Sequence, residues 1–204
     1  MPKSLTKALC ISKFPFIALL IYTVVLSGCT KPESNNSTEQ PNIITSLNNT
    51  TPSEQLNNLD VGYSVGQKAP DFKITDTEMA TYSIADYTNR SVILYFYASW
   101  WAVCRAELRR VNALIGPYHK NLSFLAIDIA SGADIDSIES FKETNGYAFF
   151  FGTTTPSTLL DYHVSRQATK VAIDKNGVIV FREGYGLLND TEWLNIFDML
   201  TTPE

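Results

Sequence analysis

The hydrophobic pattern of the chain is centred on a segment where a continuous apolar run leads directly into a helical repeat. Residues 92–97 are six large apolar side chains in succession, three of them aromatic, which predicts a strand covered on both faces. The apolar positions then recur at steps of three and four, at Trp101, Cys104, Leu108, Val111 and Ile115. This spacing predicts an amphipathic helix. The polar side chains expected outside the apolar stripe are Arg105, Glu107, Arg109, Arg110 and Asn112.

Strand and helix signals alternate along the rest of the folded part. A short hairpin over residues 73–75 and 81–83 is predicted before the central strand. After the first helix, strands are predicted at 122–129, 147–151, 170–174 and 178–182, and helices at 134–144, 155–162 and 190–200. Asn176-Gly177 can supply the positive φ angles of a tight turn between the last two strands. The order predicts an α/β fold with a central mixed sheet flanked by helices and an N-terminal β-hairpin extension.

The first 28 residues have the three parts of a secretory signal peptide. Lys3, Lys7 and Lys13 form a basic start, and an apolar run follows from 14 to 26. This run is shorter than the roughly 20 residues of a membrane-spanning helix. The sequence Leu26-Ser27-Gly28-Cys29 resembles a bacterial lipobox, which implies cleavage before Cys29 and its lipidation. An ordinary signal peptide with an incidental cysteine is the alternative.

The next segment, residues 29–60, consists of the lipidated cysteine and a polar stretch rich in Asn, Ser, Thr, Gln and Glu. Such a composition cannot bury enough surface to offset its ordering entropy. We therefore predict a disordered tether with a mean reach of roughly 30 Å, followed by one folded domain over 61–204. Without residues 1–28, the chain has 13 basic and 21 acidic residues, or a net charge of −8. That balance argues against binding to nucleic acid or to anionic lipid.

Two motifs resemble those of a known protein family. The run 97–108 reads Y-A-S-W-W-A-V-C-R-A-E-L, which is similar to the active-site segment A-S/T-W-C-x-x-C-R-x-E-x-P of envelope thioredoxin-like proteins of the TlpA/ResA type. Residues 65–72 resemble the G-x-x-A-P-D-F start of these redoxin (AhpC/TSA-related) domains. The resemblance covers about residues 62–200 and implies a thioredoxin-like fold.

The chain departs from this pattern at the positions that the family uses for chemistry. Trp101 stands in the column of the first, nucleophilic cysteine, so the motif reads W-W-x-x-C instead of W-C-x-x-C, and Arg109 stands in the column of the proline. Ala168 stands in the column of the cis-proline that faces the cysteines in relatives. Because a cis bond before alanine would cost ~3 kcal/mol, we expect a trans loop there. The resemblance therefore implies a degenerate active site.

Cys104 is the only cysteine of the folded part, since Cys10 and Cys29 belong to the N-terminal segment. One thiol can neither form an intramolecular disulfide nor run a C-x-x-C redox cycle by itself. Cys104 can be a buried small hydrophobe. Alternatively it is a reactive monothiol at the start of a helix beside Arg105, acting as a thiol oxidoreductase or in a peroxidase-like way. Tyr97 and Trp101 depart from the peroxidase motif.

The adjacent indoles of Trp100 and Trp101 are candidate binding residues, because they could form an apolar platform for a peptide or a partner protein. The alternative is that Trp100 packs beside the site and Trp101 covers the core. No metal site is predicted, since His119 and His163 are the only histidines and lack ligand spacing. No cofactor is predicted either.

The sequence thus predicts a redox-inactive or accessory binding protein of the cell envelope. Its partner would be an envelope protein or peptide, a thiol-containing one included, and its contact with the membrane would be the lipid on Cys29. The anchored domain would face the periplasm or the outer side of the plasma membrane. Thr30 is not the aspartate associated with inner-membrane retention, which favours the outer membrane where one exists. A single-cysteine enzyme remains the alternative, as does a partner protein that supplies the missing thiol.

Overall fold

The computed structural model describes Leu56 and residues 58–202, which all belong to the compact unit Leu47–Glu204. The predicted signal peptide, the lipidation site Cys29 and most of the tether lie outside the described residues. The strands are β1 (Ile74–Asp76), β2 (Thr81–Tyr82), β3 (Ser91–Tyr97), β4 (Leu122–Asp128), β5 (Phe150–Thr154), β6 (Thr169–Ile173) and β7 (Ile179–Glu183). The helices are α1 (Ala102–Leu114), α2 (Ile135–Asn145), α3 (Pro156–Asp161) and α4 (Asp190–Thr201), with 3₁₀ turns at Ile84–Tyr87 and Gly116–Tyr118.

The strands form one seven-stranded mixed sheet in the order β2-β1-β5-β4-β3-β6-β7. Strand β3 pairs parallel to β4 and antiparallel to β6, and the β1–β2 hairpin extends the sheet by pairing antiparallel to β5. This arrangement confirms the predicted α/β fold with a mixed sheet and an N-terminal hairpin extension. Within the residues described, no helix combines the length and the apolar character needed to cross a bilayer.

Strand β3 is buried along its whole length, and its side chains alternate between two hydrophobic clusters. Ile93, Tyr95 and Tyr97 belong to the cluster that includes Leu108 of α1 and Trp193 of α4. The intervening side chains pack in the second cluster on the opposite face of the sheet. Burying a side chain of this size contributes about 1.5–3 kcal/mol. Packing on both faces therefore stabilises β3 as the central strand of the domain.

Two local predictions need correction. The strand predicted at 147–151 begins only at Phe150 and runs to Thr154. Tyr147 and Phe149 lie before it and are buried through ring packing, with the Tyr147 and Phe151 centroids 5.2 Å apart. The apolar run over 147–151 therefore includes buried core residues that precede the strand as well as the start of the strand itself. In the turn before β7, only Gly177 has a positive φ, of 79°.

Candidate functional site

The junction of β3 and α1 holds the residues singled out from the sequence. Trp101 is the N-cap of α1, with φ −85° and ψ 122° and no side-chain cap hydrogen bond. Its N–H donates to the carbonyl oxygen of Ala98 at 3.0 Å, and its carbonyl oxygen accepts from Arg105 N–H at 3.1 Å. An indole thus occupies the helix start, where free N–H groups and the helix dipole would stabilise an anion.

Cys104 lies in the first turn of the helix and is completely buried. It belongs to the cluster of β3, α1 and α4, and it is a free cysteine. Its burial agrees with the first of the two interpretations of this residue. A disulfide in solution cannot contact this sulfur unless α1 or its covering side chains move.

Ala168 lies in the loop before β6 and is also fully buried. The residues described contain no cis peptide bond, in agreement with the trans loop expected before Ala168, and Ala168 has a φ of 64°. A left-handed backbone is unfavourable for a residue with a Cβ, by roughly 1–2 kcal/mol. The loop is held by the Thr169 hydroxyl, which donates to the carbonyl oxygen of Arg166 at 2.8 Å.

A buried ion pair beneath these residues was not predicted. Glu107 was expected outside the apolar stripe of α1, and this is wrong, because the side chain is fully buried. Glu107 Oε2 lies 3.3 Å from Lys170 Nζ and accepts a hydrogen bond from the Tyr95 hydroxyl at 2.8 Å. Glu107 Oε1 accepts from Leu188 N–H at 2.9 Å. The spacing along the helix indicated burial of this residue, since position 107 is three residues after Cys104 and four before Val111 on the same helix face.

The ammonium of Lys170 connects two loops to this pair. Nζ donates to the carbonyl oxygen of Ala168 at 3.1 Å and to that of Gly186 at 2.8 Å. Lys170 directly precedes the apolar run Val171-Ala172-Ile173, and this was a sequence signal for a buried partner, because an unpaired buried charge is very costly. Burial raises the pKa of Glu107, and Lys170, Leu188 N–H and the Tyr95 hydroxyl act in the opposite direction.

A second buried carboxylate lies at the end of β4, close to the end of β3. Asp128 accepts a hydrogen bond from Ala130 N–H at 2.8 Å. Burial raises the pKa of Asp128, although the hydrogen bond from Ala130 N–H opposes this. Burial raises the pKa of Tyr97 as well, and the neighbouring Asp128 adds to that increase. Both groups therefore stay protonated up to a higher pH than they would in water.

Trp100, Trp101 and Tyr185 form a row of rings that we call the aromatic surface. The ring centroids of Trp100 and Trp101 are 5.4 Å apart, and those of Trp101 and Tyr185 are 6.0 Å apart. The side chain of Trp100 is 63% exposed and that of Tyr185 is 48% exposed, whereas Trp101 is half-buried against the core. Sequence reasoning found the two tryptophans and missed Tyr185, which lies 84 positions further along the chain.

An open recess of about 670 Å³ adjoins Trp100, between that residue and helix α2. Asp136 and Ser140 contribute to its wall. In the part of the chain from 58 to 202, no three side chains of the metal-binding types are grouped together. His163 instead stacks on Tyr63, with ring centroids 4.8 Å apart.

Comparisons with known proteins agree with the thioredoxin-like fold. The sequence profile of the AhpC/TSA family matches residues 65–182. The chain is 32% identical over 118 residues to the thiol-disulfide oxidoreductase ResA of Geobacillus kaustophilus, which covers 57% of this chain and 67% of that protein. It is 28% identical over 121 residues to the thioredoxin-like protein YneN of Bacillus subtilis, covering 59% and 71%. The crystal structure of a thiol:disulfide interchange protein from Chlorobium tepidum matches with a TM-score of 0.59 at 18% identity, covering 65% of this chain and 94% of that one, and supports the fold alone.

Proposed function

We propose that this chain, which belongs to the AhpC/TSA family and to its thioredoxin-like, thiol-disulfide oxidoreductase type, is a redox-inactive member that binds a protein or peptide of the cell envelope. Thiol–disulfide exchange begins when an accessible thiolate attacks a disulfide sulfur, and a second thiol then releases the product. In the folded domain Cys104 is the only cysteine, and its side chain has no exposed surface. This single observation carries the proposal.

The aromatic surface supports a binding role. It occupies the end of the sheet where β3 passes into α1, and there Trp101 presents an indole where relatives of the TlpA/ResA type present a cysteine. Large, rigid aromatic side chains contribute much of the binding energy at protein interfaces. Trp100 and Tyr185 are exposed enough to contact a partner without any rearrangement of the core.

The cellular setting follows from the N-terminal sequence. The lipobox-like Leu26-Ser27-Gly28-Cys29 would give a lipid anchor on Cys29, and each buried CH₂ of its acyl chains would contribute ~0.8 kcal/mol to membrane attachment. The polar stretch that follows would hold the domain away from the membrane surface. The domain would then meet its partner in the periplasm or at the outer face of the plasma membrane.

Reduction of insulin disulfides by dithiothreitol tests the redox part of this proposal. The protein should give no turnover above the uncatalysed reaction, and Cys104→Ser should not change the rate, because the Cys104 sulfur is buried in the folded protein. A thioredoxin with an intact C-x-x-C pair serves as the positive control. Turnover that disappears on Cys104→Ser would overturn the proposal and favour a single-cysteine enzyme.

A further inference from the structure

Two arginines hold positive charge beside the aromatic surface. The guanidinium carbon of Arg166 lies 5.6 Å from the centroid of the Tyr185 ring. At the other end of the row, the guanidinium of Arg105 donates to the carbonyl oxygen of Ser99 at 3.0 Å and to that of Trp100 at 2.7 Å. The two cations are therefore fixed by contacts to the same segments that carry the rings.

Within the described residues, neither cation is neutralised by a carboxylate. Among residues 58–202, neither Arg105 nor Arg166 forms an ion pair with a carboxylate, whereas Arg110 pairs with Asp190. Arg105 uses only one of its terminal nitrogens for the two carbonyl contacts. The remaining N–H groups of a guanidinium present the planar fork that suits a carboxylate.

The positive charge of Arg105 and Arg166 is confined to this part of the surface, since the whole chain has a net charge of −5. A cationic patch on an acidic protein attracts an anionic partner and repels a cationic one only near that patch. On the far side of Trp100 the recess has Asp136 in its wall, so acidic groups are favoured towards Arg166 and disfavoured in the recess.

From these charges we infer that the partner presents an acidic segment built around one large apolar side chain. The apolar side chain lies on the rings of Trp100, Trp101 and Tyr185, and a neighbouring Asp or Glu pairs with Arg166. The contact is non-covalent and needs no thiol. This inference rests on the proposed binding function and specifies the chemistry of the partner.

Fluorescence anisotropy with three labelled peptides tests the inference. Each peptide has a central tryptophan, flanked by glutamates in the first, by glutamines in the second and by lysines in the third. At low salt the glutamate peptide should bind at least about fivefold more tightly than the glutamine peptide, and the lysine peptide most weakly. Salt at about 0.5 M should remove most of this difference, because exposed charges are then screened within a few ångströms.

Two variants with the same charge change locate the effect. Arg166→Gln should lower the affinity for the glutamate peptide to that of the glutamine peptide and leave the latter unchanged. Lys120→Gln, which alters an exposed lysine before β4, is the control. It should change the affinity for neither peptide beyond the small effect of one positive charge fewer on the whole protein.

The outcomes separate this inference from the proposed function. Equal affinity for all three peptides, lost on Trp100→Ala, would overturn the acidic partner and leave the aromatic binding surface intact. Tightest binding of the lysine peptide would overturn the inference in the same way. Failure of all three peptides to bind would overturn both the inference and the aromatic surface as a binding site, while the insulin assay tests redox inactivity separately.

Discussion

Lys170 Nζ lies 3.3 Å from Glu107 Oε2, and both side chains are removed from solvent. Through this pair, α1 is connected to the Ala168 loop and to the loop that carries Tyr185, because Lys170 also donates to the carbonyl oxygens of Ala168 and Gly186. Glu107 contributes a further link by accepting from Leu188 N–H. The ion pair thus holds together the segments around the aromatic surface.

The first prediction concerns the strength of this connection. Lys170→Met should lower the free energy of unfolding by about 3–5 kcal/mol, since it leaves Glu107 as an uncompensated buried charge. Urea denaturation measures the change, and Lys120→Met is the exposed control, with an expected effect within about 0.5 kcal/mol.

The double variant Lys170→Met/Glu107→Leu should regain part of the stability lost in Lys170→Met, because neither charge is then left alone. A single Lys170→Met variant that loses less than about 1 kcal/mol would contradict a paired state of these residues.

The second prediction concerns the accessibility of Cys104. In the full chain with Cys10→Ser and Cys29→Ser, labelling by a thiol-specific reagent should be at least about a hundredfold slower in buffer than in denaturant, because the sulfur reacts only after local opening. Following the released chromophore with time gives both rates. Labelling in buffer at the rate of the denatured protein would show that the sulfur is exposed in the folded state.

The third prediction concerns the backbone of Ala168, whose φ is 64°. Ala168→Gly relieves the left-handed strain but removes a buried methyl group, so its free energy of unfolding should stay within about 1 kcal/mol of the wild type. Ala168→Pro should cost about 2 kcal/mol or more, because proline requires a φ near −65°. Thermal or urea unfolding of the two variants distinguishes them, and equal stability would contradict the left-handed loop.

The fourth prediction concerns pH. Burial raises the pKa of Asp128 in the folded protein above its ordinary value, so the stability that this group contributes is present at low pH and is lost as the pH rises through the folded-state pKa. Asp128→Asn removes this titration, and its amide oxygen can still accept from Ala130 N–H.

Urea denaturation of wild type and Asp128→Asn across a pH series gives the test. The free energy of unfolding of the variant should gain on that of the wild type as the pH rises from about 4 towards neutrality. A difference between the two proteins that does not change with pH would show that the Asp128 pKa is not raised.

The sequence predicted the order of strands and helices because each buried element leaves its own apolar period. It placed β3 and the start of α1 correctly, since a fully buried strand followed by a three-and-four repeat has no close alternative. It did not predict the Glu107–Lys170 pair. A charged residue on an apolar stripe looks like a surface residue until its partner is known, and that partner lies 63 positions away.

The candidate site was predicted to a similar extent. Trp100, Trp101, Cys104 and Ala168 were found from the motif, and the structure brings Trp101 and Cys104 together at the start of α1. Tyr185 and Arg166 could not be assigned, because a single tyrosine or arginine in a loop has no periodic pattern. The contacts of Tyr185 with Trp101 and of Arg166 with Tyr185 depend on the conformation of the loops before β6 and after β7.

The contacts of Lys170 to the two loops are made to main-chain oxygens, those of Ala168 and Gly186. The identities of the exposed side chains next to them, Tyr185 and Leu187, therefore do not enter into the framework that holds them. Substitution of those side chains should therefore leave the main-chain contacts of Lys170 intact, so libraries randomised at positions 185 and 187 should yield folded proteins in which the proposed binding surface can be varied.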